Sequence, residues 1–448
     1  MDVRQSVEGR SYKMTTTRIT GHSASPETNV NRMNVGIFVT SLNPKGAAQA
    51  RFQQALLTGL QKLNSQRYRF IVLSNDVPEG FKDSDNFTYL KIERNRGWTR
   101  VAHFLKARIG RSLLFVCELC GLGGGRLVRD ITRWMSWEPR YHEQLRELNV
   151  RLFWNMNQHE LPTRVPFIRT IWDLNHRIHS MYPEFSHTRF TFDGLDRNLA
   201  YSLARASYVI VGTEEGKRQV ESIYGVYHGK VRVIPFPTPE LAANEEYSGD
   251  GRQIARGPYI FYPARLWPHK NHVVAIAAMK ILKSKWNLIV HCVFSGADEG
   301  NLGHVLRYAE ALGVKDQVEY VGVVPEKDLV ALYKGALALV YASAVGPDNL
   351  PPLEAMSLGC PVITAEVPGT REQCGDAALY FLPTSDQQLA DRIKEVLENS
   401  TVRNRLIDHG RARAASWRVE DYAHEMIVLF DEFALIARAW EKSDSAFT

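Results

Sequence analysis

A loop with two cations lies between a predicted strand and a predicted helix. The strand is Tyr259–Tyr262, the helix is His272–Lys283, and the loop carries Arg265 and Lys270. Loops that follow the strands of a parallel sheet lie at its carboxyl edge, beside helix N-termini that attract anions. An arginine fork and a lysine point charge together suit a diphosphate. Two solvent-exposed loop cations are the alternative interpretation.

A second segment leads from a predicted strand into another helix start. Ser343–Leu350 precedes a predicted helix, Pro352–Leu358. Backbone N–H groups near Asn349 and Leu350 would then point toward a ligand at the helix N-terminus. Glu354 falls in the first turn of the predicted helix, where a carboxylate can accept two hydrogen bonds from a ribose diol. A first-turn acid that stabilises the helix macrodipole is the alternative.

These two segments belong to a chain in which strands and helices alternate. In the first half the predicted strands are Asn34–Ser41, Arg69–Leu73, Arg151–Trp154, Ile168–Trp172 and Tyr208–Val211, with helices at Arg51–Leu63 and Asp196–Ala206. In the second half the further strands are Leu288–Phe294, Val318–Val321, Ala338–Tyr341 and Pro361–Thr364, with helices at Leu302–Leu312, Glu326–Lys334 and Gln387–Glu398. Such alternation predicts two α/β domains with mainly parallel sheets and a ligand cleft at the strands' carboxyl ends.

Composition indicates where these domains begin and end. Residues 1–32 are polar and rich in Ser and Thr, which predicts a disordered leader. An N-terminal Rossmann-like domain is expected over 33–240, followed by a polar linker over 241–257. A C-terminal Rossmann-like domain is expected over 258–415, with residues 416–448 forming helices that pack back toward the N-terminal domain.

The composition is that of a globular protein that needs neither metal nor disulfide to fold. Of the 448 residues, 44% are hydrophobic and 23% charged, enough for more than one core. The five cysteines are scattered, which favours a reducing compartment and plain thiols over a zinc or redox role for Cys117 and Cys120. No uncharged apolar run reaches spanning length, so we expect no transmembrane helix.

The net charge of +6 is unevenly spread, and arginines are dense between residues 94 and 133. Tryptophans and phenylalanines are interleaved with them, a combination that suits an anionic membrane surface and would also suit a nucleic acid. A solvated basic surface is the alternative. We expect a cytoplasmic protein with peripheral contact to the inner face of the cytoplasmic membrane, and no nucleic-acid partner.

From about Asn34 to Phe433 the chain resembles the family-4 retaining glycosyltransferases of GT-B fold. Tyr262–Asn271 is similar to their strand–Arg-Leu–Lys-Asn segment. Leu350–Val362 (LPPLEAMSLGCPV), with Gly369 and the Gly-Asp-Ala-Ala run that starts at Gly375, resembles their donor-site signature and its sequel. The resemblance implies two Rossmann-like domains facing each other across a cleft. The N-terminal domain would bind the acceptor and the C-terminal domain a nucleoside diphosphate sugar.

The resemblance also implies a role for individual residues. Arg265 and Lys270 would be catalytic, since they would hold the donor diphosphate and stabilise the charge that builds on the leaving phosphate. Glu354 would hold the ribose hydroxyls. The remaining donor contacts would come from the backbone of the segment that contains Gly346, Asp348, Asn349 and Leu350, with Gly296 bordering the base.

The chain departs from the family pattern at the sugar end of this site. The family carries a second glutamate eight positions before the ribose-binding one, and Gly346 stands at that position. A Gly-Pro-Asp-Asn run replaces the usual Glu-Gly-Phe-Gly. Asp348 is therefore a candidate for the carboxylate contact to the donor sugar.

A second departure lies in the N-terminal half. Trp172 stands where the family has a cleft histidine. His176, one helical turn further on, is the candidate catalytic histidine, and His159 is another; a structural histidine is the alternative. Asp173 is either a local cap or a functional acid. Gly46 resembles a position in the family's glycine-rich loop, where close backbone approach to the donor is needed.

The resemblance implies transfer of a hexose from a nucleoside diphosphate sugar to a hydroxyl acceptor, with retention of configuration. A mannosyl-type transferase using GDP-mannose is preferred, in polysaccharide, O-antigen or lipid-linked glycan synthesis. No metal-ligand cluster is found, so we expect neither metal nor cofactor. A non-catalytic GT-B scaffold or partner subunit is the main alternative, and a sugar-nucleotide epimerase or a phosphorylase of GT-B fold is a third.

Overall fold

The computed structural model describes residues 12–14, 32–39, 48–75, 83–94, 109, 141–156, 163–186, 189–239, 241 and 257–439. Several features predicted from the sequence lie outside these residues. They are most of the leader, most of the linker, nearly all of the basic stretch, and Cys117, Cys120, His159 and Gly46.

The elements alternate along the chain. The strands are β1 Tyr12–Met14, β2 Met33–Val39, β3 Tyr68–Ser74, β4 Phe87–Arg94, β5 Val150–Asn155, β6 Phe167–Thr170, β7 Tyr208–Val211, β8 Val231–Val233, β9 Tyr259–Pro263, β10 His291–Ser295, β11 Val318–Gly322, β12 Ala338–Tyr341, β13 Val362–Ala365 and β14 Ala378–Phe381. The helices are α1 Ala48–Leu63, α2 Tyr141–Glu147, α3 Asn175–Ile178, α4 Pro183–Ser186, α5 Arg189–Arg205, α6 Glu214–Tyr224, α7 His272–Trp286, α8 Leu302–Ala311, α9 Glu326–Gly335, α10 Leu350–Ser357, α11 Thr370–Cys374, α12 Asp386–Glu398, α13 Ser400–Ala415 and α14 Val419–Ala437.

The chain forms two compact units. The first comprises residues 1–42, 65–155 and 161–167. Within it β2 pairs in parallel with β3 and β5, β3 pairs in parallel with β4, and β1 runs antiparallel to β4. The strand β2 reads as a nearly continuous apolar run and is buried over its last five residues, as expected for a parallel strand covered on both faces.

The second unit comprises residues 43–64, 156–160 and 168–448. It contains two sets of parallel strands. In one set β7 pairs with β6 and β8. Near this set α1 packs against α14, so closely that a β-carbon at Gly59 would lie 2.6 Å from Val419 Cγ1. Lys62 on α1 also pairs with Glu420 on α14 at 2.7 Å.

The other set is a six-stranded, wholly parallel sheet in the order β11-β10-β9-β12-β13-β14. Numbered from β9, the order is that of a Rossmann sheet, and it reverses between β9 and β12. In open α/β sheets, ligands bind at the carboxyl ends of the strands beside such a reversal. The topology therefore marks the loops after β9 and β12 as the place to look for a site.

The prediction of two parallel-sheet Rossmann-like domains is confirmed. Several element boundaries differ from the prediction, most of all the start of the helix predicted from Asp196, which begins at Arg189. The strand predicted from Leu288 begins at His291, because Asn287 ends α7 in a left-handed conformation and the Leu288 N–H still bonds the Leu282 carbonyl. The helix predicted from Pro352 begins at Leu350, since proline is well tolerated in the first helical turn. The domain boundaries stay predictions.

In the described part of the chain, no helix combines the length and the apolar character that crossing a bilayer requires.

Candidate functional site

A cavity of about 1000 Å³ lies in the second unit, and its wall includes the ends of β9 and β10 and the segment between β12 and α10. The volume is at the upper end of the range of small-molecule and cofactor sites, roughly 300–1000 Å³. Seven of the ten residues predicted from the sequence line it: Arg265, Lys270, Gly296, Gly346, Asp348, Asn349 and Glu354. Of the other three, His176 and Leu350 do not line it, and Gly46 lies outside the described residues.

Lys270 ends a 3-10 turn, Pro268–Lys270, that follows β9. Tyr262 Oη donates a hydrogen bond to the Lys270 carbonyl at 2.5 Å, which fixes the backbone of the turn. The ammonium donates to Tyr341 Oη at 3.0 Å and to Ser343 Oγ at 3.3 Å. Within the described ranges no carboxylate forms an ion pair with it, so this positive charge on the cavity wall is available to an anion.

Glu184 on α4 fixes the same turn by accepting hydrogen bonds from His269. Its Oε1 accepts hydrogen bonds from the His269 backbone N–H at 2.8 Å and from His269 Nδ1 at 2.5 Å. Burial, and then the charge of Lys270, lowers the pKa of His269 to about 4. The ring is therefore neutral at pH 7, and its proton must sit on Nδ1, because a carboxylate can only accept. Phe185 packs on the ring at 5.0 Å between centroids.

Arg265 lies near the start of the same loop and has a partner. Its Nη1 donates to Glu299 Oε1 at 2.9 Å, and 53% of its side chain is exposed. An exposed, paired guanidinium interacts with a further anion more weakly than a charge without a counterion. Arg265 lines the cavity, but its charge is less available to an anionic ligand than that of Lys270.

Two glycines allow the backbone to pass close to the cavity. Gly296, after β10, has φ of +144°, and a β-carbon there would lie 2.3 Å from the Ala264 carbonyl oxygen. Gly346, after β12, has φ of +108°, a conformation that L residues rarely adopt. The glutamate that the family carries at this position would therefore be strained on this backbone.

The start of α10 is shaped by Asn349 and two prolines. Asn349 Oδ1 accepts from Tyr341 Oη at 3.0 Å, its Nδ2 donates to the Gly346 carbonyl at 3.0 Å, and its backbone N–H donates to Gln373. Pro351 and Pro352 have no N–H, so of the first helical positions only Leu350 and Leu353 keep a donor. The Leu350 side chain is buried.

Glu354 is the fifth residue of α10 and not, as predicted, in its first turn, because the helix begins two residues earlier. The residue is 2% exposed. Its Oε1 accepts from Arg51 Nη2 at 2.9 Å and its Oε2 from Tyr333 Oη at 2.8 Å. A carboxylate has about four lone-pair sites, so two remain for a diol on the cavity side.

No role for Arg51 or Glu184 was predicted from the sequence. Arg51 is the fourth residue of α1 and lines the cavity. One signal was present: Arg51 opens the helix that follows the first buried strand, which is the kind of position where ligands bind in α/β sheets. Its pairing with Glu354 spans 303 residues, which no local pattern reveals.

Asp348 lines the cavity, but its carboxylate lies against the N-terminus of α6. A β-carbon at Gly212 would lie 2.6 Å from Asp348 Oδ1, so only glycine leaves room for it. Burial, then the charge of Glu372, raises the pKa of Asp348 to about 8, while a hydrogen bond with Thr213 acts in the opposite direction. Glu372 accepts from the Glu214 N–H at 2.6 Å. Two acids thus meet at one helix start.

His176 is buried and lies off the cavity wall. Its Nε2 is 3.2 Å from Tyr224 Oη, which donates to Asp196 Oδ1 at 2.8 Å, and burial lowers its pKa. Trp172 is also occupied in packing: its ring stacks on Phe236 at 4.4 Å. The geometry does not favour the predicted catalytic role of His176, which agrees with the alternative of a structural histidine.

The described residues contain no group of three or more His, Cys, Asp or Glu side chains arranged to hold a metal ion. Metal independence stays a prediction.

Residues 244–413 match the sequence profile of a family described as Glycosyl transferases group 1. Two curated relatives are O-antigen chain mannosyltransferases. RfbU from Salmonella typhimurium is 27% identical over 44% of this chain and 53% of its own length. O-antigen chain mannosyltransferase B from Escherichia coli is 30% identical over 55% of this chain and 65% of its own length. The chain thus spans less than two thirds of either relative.

Solved structures resemble nearly the whole chain. Sucrose-phosphate synthase from Thermosynechococcus elongatus superposes with a TM-score of 0.64 and 15% identity, over 91% of this chain and all of that one. Anabaena HepE in complex with UDP and glucose gives 0.59 and 16%, over 90% of this chain and all of that one. At these identities the likeness shows the fold, which is GT-B as the resemblance implied.

Proposed function

We propose that this chain is a retaining glycosyltransferase, because residues 244–413 match the profile of the glycosyl transferases group 1 family. It transfers a hexose from a nucleoside diphosphate sugar to a hydroxyl group of a glycan acceptor. One observation carries the proposal: a single cavity beside the strand-order reversal is lined by Lys270, which pairs with no carboxylate among the described residues, and by the buried carboxylate of Glu354. These two groups complement the two invariant parts of such a donor, its diphosphate and its ribose.

The reaction needs stabilisation of the leaving group more than it needs a protein base. The bond between the anomeric carbon and the β-phosphate oxygen breaks, and a bond to the acceptor oxygen forms. Lys270, with Arg265 as a second cation, stabilises the negative charge that builds on the departing diphosphate. The departing phosphate takes the acceptor's proton, so the reaction does not depend on a histidine at the position of Trp172.

Charge stabilisation by protein cations also supports metal independence. Activity should therefore survive a strong chelator. A complete loss with EDTA that added Mg²⁺ or Mn²⁺ restores would refute this part of the proposal.

The names of the two curated relatives support a mannosyl donor. Both are named O-antigen chain mannosyltransferases, so GDP-mannose is the donor we propose, with a polysaccharide, O-antigen or lipid-linked glycan as acceptor. A lipid-linked acceptor would suit the proposed cytoplasmic location with peripheral contact to an anionic membrane. The arginine-rich stretch between residues 94 and 133 is the candidate for that contact.

Thermal stabilisation by nucleotides tests the donor class. GDP, UDP, ADP and TDP at millimolar concentration should differ, and the base that the site accepts should raise the melting temperature. A screen of nucleotide sugars for donor hydrolysis then identifies the sugar. If none of the four diphosphates shifts the melting transition of folded protein, the proposal fails.

A second candidate function is a nucleotide-binding GT-B partner subunit without turnover. It is favoured by Gly346 and Trp172, which stand where the family has a glutamate and a histidine. Such a subunit would be stabilised by a nucleoside diphosphate but would neither hydrolyse nor transfer any sugar in the screen.

A further inference from the structure

We propose that Arg51 is an additional cation of the donor site, which exchanges Glu354 for the donor's diphosphate when the nucleotide sugar binds. The inference rests on the proposed function, since it assigns a role at the same site. It adds a residue from the N-terminal half of the chain to a cavity whose lining residues predicted from the sequence all lie in the C-terminal half.

The position of Arg51 is the first argument. It lies in the first turn of α1 and its side chain, 20% exposed, reaches the cavity wall. There it touches Glu354, the carboxylate assigned to the ribose. In a nucleotide the diphosphate is joined to the ribose through a single methylene group. A guanidinium beside the ribose-binding carboxylate is therefore within reach of a phosphate oxygen.

Most hydrogen-bond donors of the Arg51 side chain have no acceptor among the described residues. A guanidinium has five N–H donors, and among the described residues Arg51 uses one, to Glu354 Oε1. Its Nε is buried and has no partner in the described structure. Buried donors without acceptors are costly, and the acceptors that the cavity is proposed to receive are phosphate oxygens, which bind the arginine fork in bidentate fashion.

Ribose hydroxyls would compete with Arg51 for the Glu354 carboxylate, and this competition accounts for the proposed exchange of partners. Tyr333 occupies Oε2 and Arg51 occupies Oε1. Ribose hydroxyls that donate to the carboxylate weaken its hold on Arg51, and the arriving diphosphate offers that side chain a more highly charged partner. In the absence of donor, the same ion pair keeps both buried charges compensated.

Calorimetry on the full chain tests the assignment. The ligands are the nucleoside diphosphate that stabilises the wild type and the corresponding nucleoside. We expect Arg51→Ala to weaken diphosphate binding by about 10- to 100-fold and to leave nucleoside binding unchanged or tighter. Arg51→Lys should lose less, because it keeps the charge without the fork. The matched control is Arg218→Ala, which removes an arginine paired with Glu215 on the exposed side of α6.

A variant that cannot fold would not be informative, so Arg51→Gln is measured as well. Glutamine can still donate to Glu354, and it should reproduce the selective loss of diphosphate affinity with a wild-type-like melting curve. Equal diphosphate affinity in wild type, Arg51→Ala and Arg51→Gln would overturn the inference and leave the proposed function standing. Tighter diphosphate binding in the variants would overturn it too, since Arg51 would then only block the site. If the folded wild type binds no nucleoside diphosphate, the proposed function itself fails, and this inference with it.

Discussion

Two segments line the cavity, residues 263–271 with basic side chains and residues 343–354 with acidic ones. The first carries a cation, Lys270, whose hydrogen-bond partners among the described residues are two hydroxyl groups. The second carries an acid, Asp348, whose neighbours include another acid, Glu372. The two side chains are neutralised differently. Lys270 can be neutralised by an anionic ligand, whereas Asp348 binds a proton, since its pKa is raised to about 8. At this cavity Lys270 therefore contributes to ligand binding, whereas Asp348 affects the stability of the fold around it.

Each segment also carries a charge that the protein already balances. Arg265 is paired with Glu299 in a solvent-exposed position, and Glu354 is paired with Arg51 in a buried one. If the comparison is right, substitutions should affect turnover most at the uncompensated cation, less at the buried pair and least at the exposed pair.

The largest effect is expected for Lys270→Ala. It removes the cation that forms no ion pair in the part of the chain that the structure describes, and we expect kcat/KM for the donor to fall by about 100- to 1000-fold with an unchanged melting temperature. The matched control is Lys280→Ala on the exposed face of α7. Rates near those of the wild type in Lys270→Ala would refute the assignment of the diphosphate clamp.

Glu354→Gln is expected to come next. The amide offers one acceptor oxygen where the carboxylate offers two, so both the nucleoside and the nucleoside diphosphate should bind about 10- to 100-fold more weakly. This differs from the Arg51 variants, which should discriminate between the two ligands. Unchanged affinity for the nucleoside, measured by calorimetry, would show that Glu354 does not hold the ribose.

Arg265→Ala should have a smaller effect, about tenfold or less in kcat/KM, because the guanidinium is half exposed and shared with Glu299. High salt should reduce the difference between variant and wild type, as screening acts on exposed charges. A loss as large as that of Lys270→Ala would remove the distinction between the two cations of this loop.

The smallest effect is expected on stability, in Asp348→Asn. In the folded protein Asp348 keeps its proton up to about pH 8, whereas a free aspartate has a pKa of about 3.8. The folded state therefore binds more protons than the unfolded one in this window, and stability falls as pH rises from about 4 to about 8. Asp348→Asn removes this loss.

Its melting temperature relative to the wild type should increase by several degrees from pH 5 to pH 8 and stay level above pH 8. Differential scanning calorimetry at four pH values is the measurement. An advantage that is the same at every pH would mean that the Asp348 carboxylate is not the titrating group.

The sequence was a good guide wherever local pattern determines structure. Apolar runs and turn residues predicted β9, β12 and α9 within a residue or so, and the topology that follows brings Lys270 and Glu354 to one cavity. The start of α10 was predicted two residues too late, at Pro352, although proline is well tolerated in the first turn of a helix.

Contacts between residues far apart in the chain could not be predicted from the sequence. Whether His176 faces a cavity or a core depends on Tyr224, which lies 48 residues away. The use of Glu184 as an acceptor for the Pro268–Lys270 turn spans 85 residues. Such pairings follow from how helices pack on the sheets, and side-chain type alone does not encode them.

The left-handed backbone at Gly346 limits how this site can be altered by design or by evolution. Replacing that glycine with the family's glutamate would put a β-carbon 3.2 Å from Asn349 Oδ1, on a backbone with φ of +108°, at about 1–2 kcal/mol. The next residue, Pro347, fixes its own φ and resists a compensating shift. A single-residue reversion is therefore disfavoured, and the Gly-Pro-Asp-Asn loop is best exchanged as one block. Loop grafting, rather than stepwise mutation, is the route to a different sugar specificity here.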